Sequence, residues 1–208
     1  MREIGGNFEI IVVDDGSTDG TAAAVDAFRQ RHPELPVRLH RNPRNMGLAR
    51  SFVDTAFRGR GRYYRLICGD NVESQETLVR ILREKNEADL IMPYHAPLEG
   101  KSAARVAISD LYTGLVNLLS GYDLRYYNGH PLYRRYHVMR WASYNYGFGF
   151  QADLVTMLLD EGATHREIAV DGRHCQKERG TTPLNLRNFV STGHTLFDIS
   201  LRRVRRMA

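Results

Sequence analysis

Glu9-Ile10-Ile11-Val12-Val13-Asp14-Asp15-Gly16-Ser17-Thr18-Asp19-Gly20-Thr21 decides how the rest of the chain is read. An apolar run of strand length stops abruptly at two carboxylates and a Gly/Ser/Thr turn, and a helical stretch, Ala22 to Arg29, follows at once. In open α/β sheets, ligands collect outside the carboxyl ends of parallel strands. A strand delivering Asp14 and Asp15 to that edge therefore reads as a ligand-binding edge, because carboxylates accept hydrogen bonds from nucleobase N–H groups and ribose hydroxyls. The plainer reading of the same residues is an ordinary strand followed by a capped helix, with Thr18 or Asp19 as the cap.

Outward from this segment the pattern alternates. Glu9–Val13 reads as a buried strand, 21–31 as a helix closed by His32-Pro33, and 37–40 as a short strand. A loop over Asn42–Gly47 leads to a helix over 48–58. A buried strand over 63–68 ends at Gly69-Asp70-Asn71. A helix over 76–85 and a strand over 88–92, closed by Pro93, complete a βαβα series. Such a series implies a parallel sheet with right-handed crossovers. Beyond Pro93 the spacing is helical over 103–119. A short strand and a helix start fall in 132–141, an amphipathic helix over 150–161 stops at Gly162, and 165–170 reads as a strand. The polar stretch 173–185 reads as a mobile loop closing over a site, and 186–206 as a final helix.

The 208 residues, 42% hydrophobic, suit one domain over 1–208, with a nucleotide-binding half (1–93) and an acceptor half (94–208). No apolar run approaches the roughly 20 residues that cross a bilayer, and residues 1–6 carry no leader-like apolar segment. Cys68 and Cys175 match no zinc or redox spacing, which suits reduced thiols in the cytoplasm. The net charge of +5 concentrates in Arg202, Arg203, Arg205 and Arg206, interleaved with Leu196, Phe197, Ile199, Leu201 and Val204. This end reads either as a basic amphipathic surface for an anionic membrane or a partner, or as a solvated helix end whose arginines suit its dipole. No nucleic-acid reader motif accompanies the charge.

The opening segment resembles the nucleotide-binding element of family 2 glycosyltransferases, and further segments extend that resemblance over most of the chain. Asn45-Met46-Gly47-Leu48-Ala49 is similar to an N-x-G-x-(A/G) element in which glycine lets backbone approach the ligand. Cys68-Gly69-Asp70 sits at the family's D-x-D, with cysteine in the first acidic position. Tyr146 to Asp153 resembles a G-Y-x-F-x-x-E segment, which places Gln151 and Asp153 at the polar positions. Asn128-Gly129-His130-Pro131 lies in a segment similar to S-G-F-R-L-Y-R-R on the acceptor side, with proline replacing its first arginine. Lys177 to Thr182 resembles an R-x-x-G-x-S loop over the donor diphosphate. The family's usual first strand, with its nucleobase motif, has no counterpart in the matched stretch.

The resemblance implies a GT-A-like (Rossmann-like) α/β fold, a mostly parallel sheet flanked by helices, similar to polyprenyl-phosphate sugar synthases. It implies an inverting transfer from a UDP- or GDP-linked sugar to a lipid-phosphate or glycan acceptor. In that reading Asp14, Asp15, Ser17, Asn45 and Gly47 hold the nucleotide, and Asp70, with Glu73 as a second candidate, holds Mg²⁺ or Mn²⁺. Lys177, Arg179 and Thr182 bind diphosphate, Asn128, Gly129 and His130 face the acceptor, and Gln151 and Asp153 are catalytic. The setting expected is cytoplasmic, at the inner face of a membrane. Two alternatives stay open: an inactive nucleotide-sugar-binding module, and a peripheral membrane interaction protein.

Overall fold

The structure, a computed structural model, describes residues 7–70, 73–95, 103–142, 147–170 and 186–207. The elements run β1 (Ile10–Asp14), α1 (Thr21–Arg31), β2 (Val37–Arg41), α2 (Leu48–Arg58), β3 (Tyr63–Arg65), α3 (Gln75–Arg83) and β4 (Leu90–His95). They continue with α4 (Ala103–Ser120), β5 (Leu132–Arg134), α5 (Arg135–Arg140), α6 (Phe150–Asp160), β6 (His165–Val170) and α7 (Leu186–Met207).

Two sheets form. β1 and β2 pair in parallel, with Asp14 opposite Arg41. The second sheet has the order β3-β5-β4-β6. There β5 runs antiparallel to both β3 and β4, while β4 and β6 are parallel, so three of its four strands share a direction.

Strand alternation assigns the core. Leu90 and Met92 of β4, with Tyr133 of β5, point into a large cluster containing Phe52, Val116, Trp141, Phe150, Leu154, Leu158 and Ile199. Ile91 and Leu132, one residue out of phase, enter a smaller cluster with Ile81, Ile168 and Val170 on the opposite face. The second sheet is thus covered on both sides. α2 contributes Ala49, Phe52, Val53 and Ala56, the i, i+3, i+4, i+7 stripe of a helix facing a core.

Several boundaries differ from the sequence reading. The strand over 63–68 pairs only at Tyr63–Arg65, because β5 offers just three partners. Pro93 does not close β4, which continues to His95 along β6. β5 pairs only with Leu90 and Ile91, so that flank of β4 needs no donor from Pro93. The 150–161 helix reads as amphipathic, yet in α6 every residue from Phe150 to Thr156 is buried, Gln151 and Asp153 included. Its stop is as read: Gly162 takes a φ of 84°, donates to the Leu159 carbonyl, and lets Ala163 N–H reach the Leu158 carbonyl. β1 also differs from its buried reading: Ile10 is exposed, and Ile11, Val12 and Val13 are only half-buried.

Candidate functional site

The loop after β1 is built by its two aspartates. Asp14 is buried at the strand's last position. Its Oδ1 accepts the Ser17 N–H at 2.9 Å, and its Oδ2 lies 3.4 Å from Arg41 Nε. The Ser17 hydrogen bonds, outweighing burial and helped by Arg41, hold its carboxyl below the usual aspartate value. Parallel pairing sets the Asp14–Arg41 ion pair, since these residues are register partners at the two strand ends. Together with Gly16, Ser17, Thr18 and Asn42 they line an open cleft of about 490 Å³.

Asp15 faces the other way. It accepts from Asn42 Nδ2 at 2.6 Å, from the backbone N–H groups of Met46 and Gly47 at 2.9 Å each, and from the Ser51 hydroxyl at 3.1 Å. Burial opposes its ionisation, but these four donors outweigh it and the carboxyl is held below its ordinary value. Asp15 is therefore a clasp joining the Asp14–Ser17 turn to the Asn42–Gly47 loop. Gly16 allows the joint: its φ is 79°, and a Cβ there would lie 2.6 Å from Arg44 and Asn45 backbone atoms. Gly47, with a φ of 85°, opens α2, and Asn45 Oδ1 accepts its N–H at 3.1 Å. Asp19 accepts the Thr21 N–H at 2.9 Å, serving the first turn of α1 from just outside its Gly20 cap.

A second cluster follows β3. Cys68 Sγ lies 3.9 Å from His130 Nε2. His130 has a φ of 50°, a left-handed conformation rare outside glycine. Two contacts accompany it. Gln151 Oε1 accepts the His130 N–H at 3.2 Å, and Gly129 tucks beneath the Pro93 carbonyl, where a Cβ would collide. Asn128 is half-buried in the same loop. Burial, together with the negative charges of Asp70 and Glu73, pushes the Cys68 thiol up, so it stays protonated at neutral pH. Asp70 is exposed, two residues on. Glu73 does not stand ready as its companion, because both its oxygens grip Arg65, at 2.5 Å each.

The fit to a hard divalent cation is correspondingly partial. Among the described residues no group of three or more His, Cys, Asp or Glu is gathered around a metal position. A protonated thiol is a poor ligand for Mg²⁺ or Mn²⁺. One exposed carboxylate, Asp70, suits a cation that arrives with a substrate's phosphates and keeps most of its ligands from them.

Asp153 is engaged within the fold. Its Oδ2 accepts from Trp141 Nε1 at 2.9 Å, and its Oδ1 pairs with Arg202 at 2.5 Å. Arg202 also donates to the Thr156 hydroxyl at 2.7 Å. These bonds anchor α7 on α6. Arg206, itself exposed, reaches Asp160, Tyr122 and the Ser120 carbonyl, and Arg203 reaches the Leu118 carbonyl, so three of the four C-terminal arginines are bonded to other parts of the fold. Lys177, Arg179 and Thr182, and the loop that carries them, lie outside the described residues.

Sequence reasoning named Asp14, Ser17, Asn45 and Gly47 at the first cluster but missed Arg41 and Asn42. The signal was available: Arg41 ends the strand beside Asp14. Gln151 as the holder of His130 had no comparable signal, because its contact joins residues 21 apart through the fold.

Residues 2–109 match the model of glycosyl transferase family 2. A dolichyl-phosphate beta-glucosyltransferase of Trichomonas vaginalis is 31% identical over 103 residues, which is 47% of this chain. The match spans 30% of that relative, so the chain covers under a third of its length. Among solved structures, a mannosyltransferase from Pyrobaculum calidifontis in complex with GDP-Man and Mn²⁺ superposes with a TM-score of 0.56 at 14% identity. That match covers 95% of this chain and 64% of the other. The glucosyl-3-phosphoglycerate synthase of Mycobacterium tuberculosis gives 0.60 at 16% identity, over 94% of this chain and 67% of the other. These likenesses give the fold as GT-A, and the family match over more than half of the sequence, with an Asp-Asp strand edge opening on a cleft, places the chain in glycosyl transferase family 2.

Proposed function

We propose that the chain transfers a sugar, with inversion, from a UDP- or GDP-linked donor to a lipid-phosphate acceptor. The observation that carries this reading is the cleft at the end of β1, where buried Asp14 faces the exposed Arg41. Asp14 accepts hydrogen bonds from the nucleoside, and Arg41 and the Ser17 N–H region orient it. Asp15 shapes this edge by holding the Asn42–Gly47 loop against it through four internal donors. Asp70 holds a divalent cation that enters with the donor and offsets the charge of the leaving nucleoside diphosphate. Lys177, Arg179 and Thr182 serve the same diphosphate, and Asn128, Gly129 and His130 shape the acceptor side.

Of the two acceptor chemistries, the geometry favours phosphate over a glycan hydroxyl. A hydroxyl needs a general base within reach, and the carboxylate read for that task, Asp153, is engaged by Trp141 and Arg202. A phosphate is already anionic and attacks without one. Gln151 acts by holding His130 rather than by moving a proton. The Trichomonas relative, a dolichyl-phosphate beta-glucosyltransferase, is of this class.

Titration calorimetry with UDP-, GDP- and dTDP-sugars, with and without Mn²⁺, tests the donor site. Asp14→Ala is expected to weaken the best-binding nucleotide roughly 10- to 100-fold, the loss of a charge-assisted hydrogen bond, with the fold retained. Unchanged affinity would remove the assignment. A second reading, binding without transfer, is favoured by the protonated Cys68 thiol and by Glu73 being tied to Arg65. Nucleotide-sugar binding with no product on polyprenyl phosphate or glycan acceptors would select it.

A further inference from the structure

α7 is docked through one face and bare on the other. Thr195 and Ile199 are buried, and Arg202 and Arg206 reach inward on the same side. On the opposite side Phe197 (61% exposed), Leu201 and Val204 (64%) form an apolar ridge at 4- and 3-residue spacing. α4 repeats the arrangement. Val116 is buried, while Leu111 (65%), Leu115 and Leu118 (72%) form an exposed ridge at the same spacing. The two helices pack together, and Arg203 Nη1 reaches the Leu118 carbonyl at 3.5 Å, so the ridges end side by side. Neither ridge is spent on the core, and scattered single exposures do not produce two aligned rows.

We propose that this paired α4–α7 face docks on an anionic lipid surface, with the six ridge side chains entering the headgroup boundary. The charge pattern selects the occupant. Arg203 and Arg205 flank the C-terminal end of the ridges, Asp110 and Asp198 are the single acids on the described parts of the two helices, and the chain carries a net charge of +5. Cations beside an apolar face suit a surface of negative headgroups. Neither helix is long and apolar enough to cross a membrane, so the geometry is of lying on the surface. The proposal goes beyond the transfer reaction and does not rest on it.

Flotation of the purified chain with vesicles tests it, using phosphatidylcholine alone and phosphatidylcholine with about one-third phosphatidylglycerol, a strongly anionic surface. Wild type is expected to float with the anionic vesicles and to be released by high salt. Leu111→Ser with Leu118→Ser should weaken this at least about tenfold, since buried apolar area drives insertion. Arg203→Gln with Arg205→Gln should weaken it by about fivefold per charge. Phe197→Ser on the other ridge gives an independent variant should the leucine pair fold poorly. Nucleotide affinity, measured in parallel, should be unchanged in all of them, so a wrong donor assignment and a wrong docking face leave different results. Wild type that stays unbound on both vesicles overturns the proposal. So does a dimer by sedimentation that Leu118→Ser dissolves, which would make a second copy the occupant.

Discussion

The two sheets are held together by different forces. The β3-β5-β4-β6 sheet is enclosed by apolar clusters on both faces. The β1–β2 sheet contributes no residue to either cluster. Its joints are polar. Glu9 pairs with Arg38 at 2.6 Å and accepts from the Arg60 and Gly61 backbone, Asp15 gathers four donors, and Asp14 meets Ser17 and Arg41. Hydrophobic burial is non-directional and shared over many contacts, whereas a carboxylate clasp depends on a few bonds and on charge. The candidate donor site therefore sits on the part of the molecule with the weaker local hold, where binding elements are commonly found.

Substitutions of matched size sharpen this contrast. Leu90→Ala in the enclosed sheet removes a fully buried side chain and should cost about 2–5 kcal/mol, seen as a lower melting temperature for the whole molecule. Asp15→Ala should act locally. It strands the Met46 N–H and leaves the Gly47 N–H to Asn45 Oδ1 and the Asn42 amide to the Ser51 hydroxyl, a loss of about 1–3 kcal/mol confined to the joint. Hydrogen exchange over 42–51 should rise and nucleotide affinity fall, with little change at Leu90 and Met92. Equal loss of protection in both sheets would mean that the polar joint is part of one cooperative unit with the core.

Acid separates the two regions by a second route. Glu9, Asp14 and Asp15 are held below their ordinary values; for Glu9, burial is outweighed by the Arg60 and Gly61 N–H groups and by Arg38. A lowered folded-state value means the stabilisation is complete above the unfolded-state value, near 4, and is lost as pH falls through the folded one. His137, in the enclosed half, behaves differently. Burial lowers its value, against the pull of nearby Asp89, so it folds as the neutral ring. The unfolded state then takes the proton first, and stability begins to fall below about 6.5. Between pH 7 and 5 the melting temperature should drop while exchange over 10–17 and 42–47 holds. Below about 4.5 the β1–β2 joint should loosen. His137→Leu should remove the first step and leave the second.

Much of this division was visible in the sequence and part was not. The α2 stripe Ala49, Phe52, Val53, Ala56 and the glycine stop at Gly162 follow from periodicity and backbone sterics, and both stand as read. Ile10–Val13 also reads as buried, since a run of β-branched residues says that a strand favours burial but not what covers it. Covering elements come from elsewhere in the chain. The same limit hid Asp153 and Gln151: a polar residue in an apolar helix signals a partner, and only the fold supplies Trp141, Arg202 and the His130 backbone.

The smallest effect expected comes from Cys68→Asp. In the native chain the thiol beside His130 is held protonated, Asp70 is exposed two residues on, and Glu73 is gripped by Arg65. An aspartate at 68 adds a hard oxygen ligand two residues from Asp70. Part of the gain is cancelled by burying a second negative charge near Glu73. The net change expected is a few-fold increase in the Mn²⁺-dependent part of nucleotide affinity, about 1 kcal/mol or less. Asp70→Asn should abolish that part in either background, and His130→Ala should leave it in place. Calorimetry with and without Mn²⁺ reads all three. If Mn²⁺ enhances binding equally before and after Asp70→Asn, the cation is held by the nucleotide alone, and the loop after β3 contributes shape rather than a ligand.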